Sequence, residues 1–103
     1  MQMTSFKEMI IETIQSIEDN TLLFYQQKEK EGYEKLESTF TMLIQTVNGI
    51  LETKSKNNDI YIDEKVLNSI LSNAMNAIKL RDTVLLSDIL YFDLKPLLEQ
   101  CYI

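Results

Sequence analysis

The chain has no histidine, one cysteine, one proline and two glycines in 103 residues. Each scarcity removes a class of chemistry or of fold. Without histidine, the commonest general base and the commonest transition-metal ligand are missing. A zinc site would have to combine Cys101 with carboxylates, a poor match to the known ligand sets. Di-iron bundles place a histidine three residues after a glutamate, which cannot occur here. Gly32 and Gly49 stand alone, so no P-loop, dinucleotide fingerprint or nucleophile elbow can be built. So few turn residues argue against a β-sandwich or barrel and for long helices joined by few loops. The lone Cys101 cannot form an internal disulfide, which fits a reducing compartment. No nucleophile, base and stabiliser can be named together, so the chain reads as non-enzymatic, with no cofactor and no metal.

Basic charge is also scarce. Sixteen acidic residues face ten basic ones, a net charge of −6. An acidic surface repels phosphates, and the only basic clusters are the short "KEK" of Lys28–Lys30 and "KSK" of Lys54–Lys56, so nucleic acid is not an expected partner. No apolar run approaches the ~20 residues that span a bilayer, and "MQMTSFKEMIIE" lacks a signal-peptide core. A cytoplasmic location is expected. The length suits one small domain over residues 1–103, burying roughly two-thirds of its unfolded surface.

What the chain does have is helical periodicity. Ser5 and Glu8 have capping-box spacing, which predicts a first helix from Ser5. Phe6, Met9, Ile10, Ile14, Ile17, Thr21 and Phe24 form its apolar stripe, opposite Glu8, Glu12, Gln15 and Asp19. The charged "QQKEKEG" is expected to end it, with Gly32 as the stop. Tyr33, Leu36, Phe40, Leu43, Val47 and Ile50 mark a second helix in steps of three and four, with Met42 and Gly49 off the stripe. So short a joint implies an antiparallel hairpin. "ETKSKNNDIYID" reads as the longest loop, with Asp63 capping a third helix and Ile62 stapling to Leu67. Leu67, Ile70, Leu71, Ala74, Ala77 and Ile78 give its buried face. The other face, Asn68, Ser69, Ser72, Asn73 and Asn76, is uncharged. "LRD" is a second tight joint, with Asp82 or Thr83 as cap. The expected fold is all-α: an antiparallel up-and-down four-helix bundle made of two αα-hairpins.

The fourth helix, "LLSDILYFDLKPLLEQ", has more apolar surface than an outer helix uses. Wound at about 100° per residue, it puts Asp88, Lys95 and Glu99 on a narrow polar strip. Leu86, Leu90, Tyr91, Leu94, Leu97 and Leu98 cover a wide arc, and Leu85, Ile89 and Phe92 a smaller one. Asp93 and Gln100 separate the arcs. Either this helix has neighbours on both sides within one chain, or the arc of Leu85, Ile89 and Phe92, with Asp93 at its edge, docks on a protein partner, a copy of the chain or a different protein. If buried, Asp93 needs Lys79, Arg81 or a tyrosine hydroxyl as partner. Pro96 is expected to kink the helix by removing the bond to the Phe92 carbonyl. A third alternative is a ligand-binding bundle with a cavity lined by Tyr91 and Asp93.

The phrase "AIKLRDTVLLSDILYFDLKPLLE", with "EGYEKL" earlier, resembles small helical proteins of low-GC Gram-positive bacteria grouped as a domain of unknown function. In them a similar segment closes a helical bundle. That resemblance implies a fold and no activity, so it carries over no catalytic residue. A further similarity, to flagellar export chaperones, rests on small size, acidity and helicity, although their tyrosine-rich N-terminal arm is not evident here. It implies a chaperone for one partner protein. The resulting expectation is a protein–protein interaction module, self-associating as a possible homodimer or holding a partner through helix four.

Overall fold

Helix-forming residues run nearly unbroken through this sequence, and the computed structural model, which describes residues 2–56 and 62–101, is helical throughout with no strand among them. Helix α1 spans Gln2–Tyr25. It starts ahead of Ser5 because nothing in "QMT" breaks a helix, so the expected cap lies inside the first turns. The side chain of Phe6 lies outside the described residues. The helix ends not at Gly32 but at Gln27, whose φ of 64° is left-handed. Lys28 N–H reaches the Leu23 carbonyl at 2.9 Å and Gln27 N–H the Phe24 carbonyl at 2.9 Å, the two bonds of a Schellman stop.

Gly32 instead lies within α2, Glu29–Lys56. A Cβ there would sit 2.5 Å from the buried Phe24 ring, so glycine is needed for the two helices to approach. Phe24 meets Tyr33 edge-on, with ring centroids 5.2 Å apart. The predicted stripe of α2 faces inward: Leu36, Leu43 and Ile50 are buried, and Tyr33, Phe40 and Val47 pack on the core. Met42 and Gly49 are half-buried. Of the expected loop, Glu52–Lys56 continues α2, since "ETKSK" holds no helix breaker. Residues 57–61 of it lie outside the described residues.

Between α1 and α2 runs a buried polar seam. Thr13 and Thr46 hydroxyls are 2.6 Å apart, those of Ser16 and Thr39 2.9 Å, and Asn20 Nδ2 donates to the Gly32 carbonyl at 3.0 Å. Positions rise along α1 as they fall along α2, so these two helices run in opposite directions. The small side chains let the backbones come close, while each hydroxyl finds a partner away from water.

Asp63 caps α3, Glu64–Lys79, accepting from Lys65 and Val66 N–H at 3.1 and 3.2 Å. Ile62 and Leu67 are both buried, as a staple requires, and Ala74 and Ala77 are fully buried. A second Schellman stop follows, with Arg81 at φ 55°. Asp82 N–H bonds the Ala77 carbonyl, and the Asp82 carboxylate then accepts from Leu85 N–H at 3.0 Å to cap the next helix.

That C-terminal helix is continuous but not uniform: α4 spans Thr83–Asp88, a π-helical segment Ile89–Leu94, and α5 Lys95–Gln100. It packs between α1 and α3, and α1 packs between it and α2, so the order in space is α2, α1, C-terminal helix, α3. Just ahead of Pro96, where a kink is expected, the helix makes a π turn in which Lys95 N–H bonds the Leu90 carbonyl. Leu86, Leu90, Leu94 and Leu98 are all fully buried. Four-residue steps drift by about 40° each in an α-helix. A stretch closed from i to i+5 turns less per residue and keeps these leucines in line.

Candidate interaction surfaces

The smaller arc of helix four does not form one surface. Ile89 is 6% exposed and joins the core, while Leu85 and Phe92 are 43% and 64% exposed. The π turn and the packing of α3 against it account for the difference: Ile89 opens the segment that faces both α1 and α3. Phe92 and Asp93 share a shallow cleft with Lys65, Val66, Ser69, Ile70 and Asn73. Asp93 is exposed, so it needs none of the partners that burial would demand. Tyr91 lines a different depression, beside Glu18 and Tyr25.

The polar strip of helix four clasps α1. Tyr25 OH donates to Asp88 at 2.7 Å, and Lys95 Nζ meets Glu18 at 2.7 Å while lying 4.3 Å from the Tyr91 ring centre. Partial burial, the bond to Asp88 and that carboxylate's charge push the Tyr25 hydroxyl up to about 12. The Glu18 carboxylate holds Lys95 above the usual lysine range. At the far joint Arg81 lies over the Tyr33 ring at 4.5 Å and near Glu29 at 3.9 Å, which fastens the strained turn.

Cys101 is buried, with its thiol donating to the Leu97 carbonyl at 3.5 Å. Burial pushes the thiol pKa up, so little thiolate forms near neutrality. A disulfide reagent is expected to modify it slowly in the folded protein at pH 7 and rapidly in denaturant. Equal rates in the two conditions would show that the thiol is accessible. Among the described residues no group of three or more metal-ligating side chains comes together, and no helix is long and apolar enough to cross a membrane.

A second surface lies on the opposite flank. Phe40, Leu43, Ile44, Val47 and Asn48 of α2 and Leu71 and Met75 of α3 line an apolar groove of about 300 Å³. The two helices flank it without the close packing that joins the other neighbours. Ile44 and Met75 stand at its margins, 59% and 50% exposed. Periodicity places Phe40, Leu43, Val47 and Leu71 on inward faces and passes over Ile44 and Met75. The available signal was that both are apolar residues off their helix's stripe.

The chain matches a family described as a domain of unknown function (DUF8042) over residues 2–102, and it belongs to that family. No curated protein and no solved structure matches it.

Proposed function

We propose that this member of the family is a non-enzymatic, cytoplasmic protein–protein interaction module, an up-and-down four-helix bundle whose α2/α3 side is open to receive a helical segment. The observation that supports this reading is the groove itself. Six of its seven lining residues are apolar, and two of them project into solvent. Apolar surface left in water costs about 25 cal/mol per Å², which docking of a partner recovers. A trough between two helices suits an amphipathic helix whose anchors recur every three or four residues. The lack of histidine and of any nucleophile–base pair supports a binding role over a catalytic one.

A second reading keeps helix four as the docking element. The exposure of Phe92, edge-on to Tyr91 at 5.1 Å and fringed by Lys65 and Asp93, favours it. One experiment separates the two. A photo-crosslinking residue is placed at position 44, at 92 or at the exposed control Glu12, in cells that naturally make the protein. A discrete adduct from position 44 is expected, with none from position 12. An adduct from 92 alone transfers the role to helix four. If neither site gives a discrete adduct, the interaction reading fails.

A further inference from the structure

We infer that the occupant of the α2/α3 groove is a second copy of this chain, related by a two-fold axis that sets the two open sides face to face. This rests on the reading of the groove as a docking surface and names its partner.

Charge is the first observation. One residue in four is charged, yet Ser38–Leu51 of α2 and Val66–Ile78 of α3 contain no charged residue at all. Every residue that lines the groove falls within these two runs. The exposed polar residues of these runs include Thr41, Asn48, Asn68 and Ser72, all neutral hydrogen-bonding groups. A different protein approaching a chain of net charge −6 would gain rate and specificity from opposite charge. This face offers none. A second copy carries the same −6, and the face on which two copies meet with least repulsion is the charge-free one.

Shape is the second. A two-fold interface is self-complementary, so one patch must carry both the projection and the recess. Ile44 and Met75 project, and the groove lies between them. A cavity of about 150 Å³ accommodates a benzene-sized group. At about 300 Å³ the groove has room for both projecting side chains of the opposite copy.

Size sets the strength. Thirteen or fourteen helical residues extend roughly 20 Å, and two helices side by side are roughly 20 Å wide. That is on the order of 400 Å² per copy, about half of the ~800 Å² of a standard stable interface. The dimer therefore dissociates on dilution.

Light scattering on the full chain across a dilution series from millimolar to micromolar tests this, on wild type, Ile44→Asp, Met75→Asp and Phe92→Asp. All three positions are exposed, so the variants keep the fold, which circular dichroism verifies on each. The wild-type mass is expected to rise from 12.1 kDa toward twice that value as concentration increases. Phe92→Asp should follow it. Ile44→Asp and Met75→Asp should weaken association by at least about tenfold, equivalent to ~1.4 kcal/mol. Added salt should strengthen the wild-type dimer by screening the −6 charges, where an ion-paired interface would weaken. A mass of 12.1 kDa at every concentration overturns the inference, as does a dimer that survives Ile44→Asp and Met75→Asp or is lost in Phe92→Asp. A photoadduct from position 44 with only a different protein also overturns it while leaving the groove as the docking site.

Discussion

An aspartate in place of Asn20 is expected to cost the fold about 3–5 kcal/mol at neutral pH, the penalty for an uncompensated buried charge. Against the roughly 5–15 kcal/mol that holds small domains together, this is a large fraction. Asn20 is 0% exposed in the α1/α2 seam. Its amide donates to the Gly32 carbonyl, and its Oδ1 finds no donor among the described residues. A carboxylate there would set lone pairs against that carbonyl and would be stripped of water with nothing in exchange. The two helices cannot close further to offer a new partner, because the Phe24 ring already fills the space beside Gly32.

The deficit has a definite pH dependence. Burial raises the folded-state pKa of the new carboxyl above its unfolded value near 3.9. Once protonated, the group regains an O–H that can donate to Gly32. The penalty is therefore full at pH 7 and shrinks as pH falls through the raised pKa toward the unfolded one. Urea midpoints of Asn20→Asp and wild type, compared at pH 7 and near pH 4.5, should converge at the lower value. Midpoints that differ little at pH 7 would mean that water reaches the seam.

The seam also shows what was legible in the sequence and what was not. The α2 stripe from Tyr33 to Ile50 and the caps at Asp63 and Asp82 follow from local rules, and the structure has them where periodicity and capping chemistry put them. Thr13, Ser16, Asn20, Thr39 and Thr46 are residue types usually found at the surface, and they are buried here only because each meets a partner from the other helix. That matching is a property of the helix pair and leaves no mark in either helix alone. The stop at Gln27 was hidden for a related reason. Gly32 is the residue a left-handed turn prefers, but close helix packing had the stronger claim on it. In the site, Phe92 and Leu85 were legible as surplus apolar surface. Ile89 was not, because winding at a uniform 100° assumes an α-helix throughout. The α2/α3 groove depends on how far apart two helices sit, which periodicity does not encode, although the charge-free runs marked both of its walls.

Deleting Phe92 outright, together with Pro96→Ala, is expected to leave the protein folded, whereas deleting Gln45 from α2 should unfold it. Both residues are exposed, so neither deletion removes core. Deleting Gln45 turns everything after it by about 100° and swings Thr46 and Ile50 out of the face where Thr46 meets Thr13. The C-terminal helix differs because its π turn already holds one residue more than an α-helix needs. The leucines at 86, 90, 94 and 98 step by four, and without Phe92 the last two move up by one place. Their spacing becomes four, three, four, the seam of an ordinary α-helix. Pro96 has to change as well, because an α-helix would press its ring against the carbonyl four residues back, at a cost of about 3 kcal/mol. Thermal unfolding followed by circular dichroism should place the double variant within about 1.5 kcal/mol of wild type, the range of conservative core changes. The Gln45 deletion should lose more than about 4 kcal/mol or fail to fold. Equal loss in both would show that the π segment is not a one-residue insertion in an α-helical frame. If the double variant folds and still dimerises through α2 and α3, the extra residue is not needed for the core or the groove. The position-92 crosslink would then test whether Phe92 makes a contact outside the fold.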